Sequence, residues 1–215
     1  MEAATTSARQ LAGDKAARIV DAMRTSVAER GTAGSTFDQV ARAAGVSRGL
    51  LHYYFGTKER LLVEVVRRDC DVRLAALDAA LAQAQTAEDF IAVLVASLED
   101  VVRNDPGFVT LLFELFVLSR RHEDVAAEFS ELLSRPREQV ATLLRAKEAD
   151  GVLHLSADPD AVVDVLFSLA DGIWLRMLAE ERDFGPTIAA AVTCVRALLD
   201  DVRPSTPAGR ACRSA

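Results

Sequence analysis

The amino-acid sequence predicts an all-α protein of about nine helices, in which three helices form a small N-terminal domain and the others a larger C-terminal one. Apolar residues recur at intervals of three and four through most of the chain, which is the spacing of one helix face. No segment has the regular apolar–polar alternation of a convincing strand. A chain of 215 residues, half of them hydrophobic and 27% charged, is long enough to bury a core.

Cysteine use and hydropathy exclude several classes of protein. Cys70, Cys194 and Cys212 are far apart and form no CxxC pair, so neither a disulfide framework nor a zinc site is expected. The N-terminus lacks the apolar core of a secretory signal. The most apolar stretches, 90–102 and 108–118, are too short to span a bilayer and both carry acids. We therefore expect a cytoplasmic protein with no membrane partner.

The charge is divided unevenly along the chain. The first 68 residues hold 11 Lys and Arg against 7 Asp and Glu, whereas the remainder holds 14 against 25, which gives the total of −7. A basic N-terminal part on an acidic body is compatible with local binding of phosphate, since exposed charges are screened beyond about 10 Å at 0.1 M salt.

The first helices are marked by caps and glycines. Ser35 or Thr36 can cap a short helix, since a hydroxyl satisfies a free backbone N–H, and Gly45 ends that helix. Ser47 caps the next one and Gly56 stops it. Helical spacing of apolar residues and these signals give predicted helices at 14–30, 36–44, 47–54 and 57–83.

Five longer helices are predicted in the rest of the chain. Turn signals separate them at 104–107 and 150–151, and Asp158 before Pro159 indicates a cap followed by proline at the first helical position. The tail from Pro204 is small and polar and is expected to fray. The predicted ranges are 87–103, 107–119, 122–149, 159–181 and 186–201.

Residues 36–55, TFDQVARAAGVSRGLLHYYF, are predicted to form two short helices joined by a tight turn. Gly45 permits the left-handed backbone that a sharp turn requires. The candidates for the outward face of the second helix are Ser47, Arg48, Gly49, His52 and Tyr53. A short helix with a polar outer face fits the DNA major groove. Helix pairs that serve only for packing have the same shape, so this pattern alone does not distinguish a DNA-binding motif from a packing motif.

The motif T-x-x-x-V-A-x-x-A-G-V-S-x-G-x-L-x-Y-Y-F starts at Thr36, and T-K-E-x-L-L follows from Thr57. Over about residues 13–73, the chain resembles the TetR/AcrR family of transcriptional regulators. The resemblance implies a ligand-responsive repressor that binds palindromic operator DNA as a homodimer and is released by a small apolar or amphipathic effector. The implied domains are 13–73 for DNA binding, 74–203 for ligand binding and dimerisation, and 204–215 as a flexible tail.

The resemblance also implies roles for matched residues. It places Thr36, Tyr53 and Lys58 at phosphates and Ser47, Arg48 and Gly49 at the groove, and the outward position of His52 adds it to the DNA-binding set. Arg48 is the best candidate to read a base, because arginine pairs bidentately with guanine. Leu50 stands where a small hydroxyl residue is common and His52 where tyrosine is common, and both departures bear on the operator sequence.

Two further patterns have simpler interpretations. Residues 45–49 fit the G-x-S-x-G nucleophile elbow, but that motif needs a strand before Ser47, where a helix is predicted. We therefore expect no enzymatic activity, and a small esterase is the rejected alternative. His122, Glu123 and Asp124 are interpreted as a solvated helix start rather than metal ligands, and no cofactor is expected.

The helix predicted at 159–181 is apolar on two sides. One side runs through Val162, Leu166, Leu169 and Ile173, and the other through Val163, Phe167, Trp174 and Leu178. Such a helix needs two partners, and the resemblance implies that a second subunit supplies one of them in a four-helix bundle. The pattern does not fix which side meets the partner, and interior helices of a monomer are the alternative. The expected interface is Val162, Leu166, Leu169, Ile173, Val192, Val195 and Leu199.

A cluster of large apolar side chains is the candidate ligand site. Its expected lining is Phe108, Leu112, Phe113, Phe116, Phe167, Trp174 and Met177. Glu114 is the exception within an apolar helix, and we expect it to face water rather than a polar or cationic ligand group. Because the helix at 57–83 joins the two domains, ligand binding is expected to change the separation of the recognition helices. The remaining alternatives are a constitutive regulator or an activator, and a helical interaction module that binds no nucleic acid.

Overall fold

The computed structural model of the protein describes the backbone of residues 2–200 and the side chains of residues 13–199. Within this part, the chain forms nine α-helices and one pair of two-residue strands, which confirms the predicted all-helical class. The helices are α1 (Glu2–Gly34), α2 (Phe37–Ala44), α3 (Arg48–Phe55), α4 (Lys58–Ala82), α5 (Ala87–Asn104), α6 (Pro106–Ser119), α7 (Glu123–Ala149), α8 (Pro159–Ala179) and α9 (Gly185–Leu198). None of the described helices is long and apolar enough to cross a membrane.

The helix-turn-helix is formed by α2 and α3 and packs on α1 and α4. The hydroxyl of Thr36 accepts the backbone N–H of Gln39, and the Gln39 side chain accepts the backbone N–H of Thr36, so both ends of this capping box are made. Gly45 ends α2 with φ +66°, in the left-handed region that the turn requires. The predicted turn is therefore present with its expected residues.

Helix α4 connects the helix-turn-helix to the rest of the molecule. Thr57 caps its N-terminus, and its first turns are buried against α1, α6 and α7. A single apolar core therefore continues from the helix-turn-helix into the body, through Val101, Phe108 and Leu115. A second core surrounds Phe90 and is closed by α5, α7, α8 and α9. The two parts of the chain are thus joined by packing as well as by one continuous helix.

The structure differs from the predicted elements at the start of α1, in a pair of short strands and at the end of α9. Helix α1 begins at Glu2 instead of 14, and it is interrupted at Gly31, where the predicted helix ends. The strands β1 (His154–Leu155) and β2 (Leu199–Asp200) pair antiparallel, which ends α9 before the predicted residue 201. Leu155 and Leu199 are both buried, so this short pair seals the second core. The tail predicted to fray from Pro204 lies outside the described residues.

Candidate DNA-binding surface and ligand cavity

The outer face of α3 is polar and open to solvent. Arg48, Gly49, His52 and Tyr53 are exposed, and Tyr53 keeps 80% of its surface. Leu51 on the opposite side is completely buried and anchors the helix on the body. The predicted division of α3 into an inward and an outward face is therefore what the structure has.

Two side chains on this face are held by neighbours. The Arg48 guanidinium lies 3.4 Å from the Asp38 carboxylate on α2, and both side chains are more than half exposed. Such a pair is weak in water, so Arg48 is free to exchange Asp38 for another acceptor. The His52 ring meets the Phe37 ring edge-on at 4.8 Å, and its Nδ1 lies 3.0 Å from the Gly56 carbonyl oxygen.

The other expected DNA contacts surround α3. Ser47 is exposed and stands at the N-cap position of α3 as predicted, but its hydroxyl makes no capping hydrogen bond, so the predicted side-chain cap is wrong. The Thr36 hydroxyl donates to the Gln39 side chain at 3.0 Å and is exposed. Lys58 is half-buried, and its Nζ donates to the Thr32 carbonyl oxygen at 2.8 Å. Since an ammonium group has three donors, Lys58 keeps two of them for a further acceptor.

A cavity of about 410 Å³ lies in the body among α4, α5, α6, α7, α8 and α9. Four residues of the expected lining are on its wall, namely Phe108, Leu112, Phe167 and Trp174. The wall is mainly apolar. The Trp174 indole donates to the Leu98 carbonyl oxygen at 3.1 Å, which fixes the orientation of the ring.

Three residues of the expected lining lie elsewhere. Phe113 is on a different side of α6 from Leu112, because successive helical residues are about 100° apart. Phe116 is 49% exposed near the end of α6, and its ring lies 6.0 Å from the Phe129 ring of α7 in a tilted arrangement. Met177 is half-buried but is not on the wall.

Glu114 also departs from its expected position. It is half-buried, and its Oε2 is buried without a hydrogen-bond partner among the described residues. It does not line the cavity. Glu114 therefore neither faces open water as expected nor meets a ligand group there.

The cavity wall also has charged residues that were not predicted from the sequence. Arg73 donates to Asp105 at 2.6 Å and lies over the Phe108 ring at 4.4 Å. Arg137 pairs with Asp164. The carboxyl of Asp171 has no hydrogen bond or ion pair with any described residue, and burial raises its pKa. An acid in the apolar run SLADGIW was the available sequence signal for Asp171.

Cys70 is a further unpredicted member of the wall. Burial raises the pKa of its thiol to about 12, and the neighbouring acids Asp69 and Asp71 act in the same direction. The thiol therefore stays protonated at neutral pH and behaves as a small apolar group of the cavity.

The expected dimer-interface residues are taken up by the chain itself. Val162, Leu166, Ile173, Val195 and Leu199 are buried within the chain, which leaves them little surface for a second chain. Leu169 and Val192 are partly buried, and both line the cavity together with Leu166, Ile173 and Val195. The large apolar side chains that α8 leaves exposed in the described structure are Val165, Leu175 and Leu178.

Comparison with known proteins places both regions in one family. Residues 19–65 match the model of "Bacterial regulatory proteins, tetR family", and residues 90–204 match that of "BetI-type transcriptional repressor, C-terminal". The "HTH-type transcriptional regulator BetI" of Rhizobium meliloti (strain 1021) is 25% identical over 175 residues, covering 81% of this chain and 83% of that protein. The protein of the same name from Burkholderia mallei (strain NCTC 10229) is 29% identical over 177 residues, covering 74% and 80%.

Solved structures share the fold. A TetR-family regulator of Mesorhizobium loti MAFF303099 has a TM-score of 0.72 at 17% identity, covering 87% of this chain and 98% of its own. A Saccharomonospora viridis regulator in complex with choline has a TM-score of 0.67 at 19% identity, covering 86% and 97%. FadR of Bacillus subtilis, in complex with stearoyl-CoA, has a TM-score of 0.65 at 18% identity, covering 83% and 96%. With its helix-turn-helix and the helices around its cavity both matched, this protein belongs to the TetR family of bacterial transcriptional repressors and has a BetI-type C-terminal region.

Proposed function

We propose that the chain is a ligand-responsive repressor that binds palindromic operator DNA as a homodimer and leaves it when a small amphipathic effector enters the cavity. Helix α4 is the observation that carries this proposal. It begins at Lys58 beside the helix-turn-helix and lines the cavity with Cys70, Arg73 and Leu74. A ligand that fits one arrangement of α4 better than another shifts the population of the DNA-binding state. A regulator of chromosomal genes acts in the cytoplasm, and we place the protein there.

In the proposed complex, α3 lies in the major groove. Arg48 exchanges Asp38 for a guanine, whose O6 and N7 accept its two N–H groups. Tyr53 and Lys58 bind phosphates through the exposed hydroxyl and the spare ammonium donors. Thr36 adds a phosphate contact at the N-terminus of α2, where free backbone N–H groups favour an anion.

The homodimer is proposed to form through the exposed sides of α8 and α9. Val165, Leu175 and Leu178 of α8 are 43%, 50% and 38% exposed. The exposed positions of α9 include Ala190 and Ala197, whose small side chains allow another helix to approach closely. A four-helix bundle built on these faces brings two copies of α3 to one side, and one turn of DNA separates half-sites by roughly 34–36 Å.

The polar end of the effector is proposed to be a cation held by Asp171. Phe167 and Trp174 lie four residues before and three residues after it, so the three side chains share one side of α8. Arg73 and Arg137 on the wall already have carboxylate partners, and the Arg73 Nε is the one buried donor of these two side chains that has no hydrogen bond among the described residues. A cation would stabilise the charged form of Asp171 and be attracted to the aromatic faces. The choline bound to the Saccharomonospora viridis neighbour supports this class of ligand.

The experiment starts with selection of bound sequences from random DNA by the purified protein, which is expected to enrich a palindrome. Operator affinity is then measured by fluorescence anisotropy during titration with choline and with longer alkyltrimethylammonium salts. The uncharged analogue dimethylbutanol, in which carbon replaces the nitrogen of choline, is the matched control ligand. Calorimetry reports binding of each compound directly.

We expect the cations to bind and to lower operator affinity, with the uncharged analogue at least about tenfold weaker. Asp171→Asn should remove most of that difference. A cation that binds tightly and leaves operator affinity unchanged would contradict the switch. Selection that enriches no palindrome would contradict dimeric operator binding.

A further inference from the structure

We infer that His52 reads the amino group of one base in the major groove as a hydrogen-bond acceptor held in a fixed orientation. This inference rests on the proposed binding of α3 to operator DNA and goes beyond it. It assigns a definite chemistry to a residue that departs from the family pattern, in which tyrosine is common at this position.

The hydrogen bond of the ring determines which nitrogen carries a proton. Nδ1 of His52 lies 3.0 Å from the Gly56 carbonyl oxygen. A carbonyl oxygen only accepts, so Nδ1 must donate its N–H. In a neutral imidazole, the other nitrogen then has no proton and is an acceptor. Nε2 of His52 is therefore an acceptor as long as the ring is neutral.

The ring is also held in position. Its edge-on contact with Phe37 at 4.8 Å and its bond to Gly56 support it from α2 and from the turn after α3. Both contacts lie within the helix-turn-helix, so the ring moves as part of this unit. A supported side chain loses less conformational freedom on binding than a free one.

The position of His52 exposes its side chain on the face of α3 that is proposed to enter the groove. His52 is exposed and follows Arg48 by four residues and Gly49 by three, so it lies in the middle of the outer face of α3. Gly49 has no side chain, and a Cβ built there would touch only the Ser47 hydroxyl, at 4.0 Å. The outer face of α3 therefore has no side chain at the position one turn before His52 that would come between α3 and a base edge.

The chemistry of the groove then selects the base. Adenine N6 and cytosine N4 present amino donors in the major groove, whereas guanine O6, thymine O4 and the purine N7 atoms are acceptors. A neutral acceptor such as Nε2 bonds the amino groups and gains nothing from the other atoms. His52 should thus require adenine or cytosine on the strand it contacts.

The test begins with selected operators for the wild-type protein and for His52→Phe, which keeps a flat ring against Phe37 but has neither nitrogen. One base pair in each half-site should lose its preference, by about tenfold in relative affinity. Arg48→Ala is the matched control on the same face and should change the preference at a neighbouring base pair. Thermal melting of both variants checks that the fold is retained.

The wild-type protein is then measured on operators modified at that base pair. The amino group is removed by placing purine instead of adenine, or pyrimidinone instead of cytosine. This should lower operator affinity by about tenfold, as the His52→Phe substitution does. Removing the amino group from the base should not lower the affinity of the His52→Phe protein any further. Replacing the purine N7 by carbon at this pair should have no effect on the wild-type protein.

Other outcomes overturn the inference. If replacing N7 lowered the affinity of the wild-type protein but not that of His52→Phe, the ring would be a donor. If His52→Phe lowered the affinity for all DNA sequences equally, the ring would contact phosphate. An enriched palindrome that His52→Phe leaves unchanged would overturn the inference alone. Failure to enrich any sequence would overturn it together with the proposed operator binding.

Discussion

We expect Asp171 to lower the stability of the free protein. It is a half-buried acid on the cavity wall, and burial raises the pKa of its carboxyl. The folded chain therefore holds this proton more tightly than the unfolded chain does. Stability falls as the pH rises from the ordinary range of aspartate through the raised value, because the folded state must then carry an unpaired charge. A residue that binds a ligand at the expense of stability is common in functional sites.

Replacement of Asp171 by asparagine should therefore raise the melting temperature at about pH 8, by about 2 °C. The gain should shrink towards about pH 4, where the wild-type carboxyl is protonated. Asp164→Asn is the control on the same helix, because the hydrogen bond from Arg137 lowers the pKa of Asp164 and the change removes an ion pair. It should give no gain at any pH. An Asp171→Asn protein that melts below the wild type at pH 8 would contradict this account.

Among the elements, the turn between α2 and α3 depends on backbone conformation more than on contacts. Gly45 has φ +66°, and a Cβ built there meets nothing within 4 Å. Gly45→Ala should therefore destabilise the protein by about 1–2 kcal/mol through backbone strain alone. Denaturant unfolding measures this difference.

Gly49, also free of close neighbours, lies inside α3 at an ordinary helical φ and is the matched control. Gly49→Ala should stabilise the helix slightly, by up to about 1 kcal/mol. It should also weaken operator binding, since its methyl group would occupy the groove face. If Gly45→Ala and Gly49→Ala changed stability equally, the strain at the turn would be excluded.

Helix ends with strong local signals were predictable from the sequence. Thr36, Gly45 and Thr57 fix the limits of the helix-turn-helix through caps and a left-handed turn, and they do so in the structure. These signals depend on residues a few positions apart. The short pairing of β1 with β2 depends on residues more than 40 positions apart and leaves no periodicity to detect.

The faces of α8 could not be assigned in the same way. Its own core, the cavity and a partner all favour apolar side chains, so helical periodicity does not separate them. Val162 and Val163 belong to the core, Phe167 lines the cavity and Val165 lies on the exposed side. Only packing of the whole chain distinguishes these three environments.

At the scale of the whole molecule, a cluster of ion pairs connects the cavity to α1. Asp105, between α5 and α6, accepts hydrogen bonds from Arg24 on α1 and from Arg73 on α4. Arg73 lies on the cavity wall over Phe108, which meets Trp174 edge-on at 6.5 Å. A ligand that moves Phe108 or Arg73 thus changes how Asp105 holds Arg24. This gives the proposed switch a physical connection between its two sites.

Asp105→Asn should weaken that coupling while leaving both sites able to bind. We expect the loss of operator affinity caused by a cationic effector to shrink by about 0.5–2 kcal/mol. Linkage requires the same reduction in the effect of operator DNA on effector affinity, so both directions are measured. Asp21→Asn is the control, because Asp21 pairs with Arg68 at 2.7 Å between α1 and α4 without touching the cavity. Equal coupling in Asp105→Asn and the wild type would contradict this connection.

The exposed side of α8 makes a prediction about the assembly. Val165, Gly172 and Leu175 lie along one stripe that the described part of the chain leaves exposed. In the proposed homodimer, Leu175→Glu places a charge in the middle of an apolar contact, which costs several kcal/mol without a partner. The variant should be a folded monomer by light scattering and should lose affinity for the full palindrome.

Val72→Glu on α4 is the control, since Val72 is 66% exposed and lies outside α8 and α9, and it should remain dimeric. A Leu175→Glu protein that stays dimeric would place the interface elsewhere, because a carboxylate would not remain buried there unpaired.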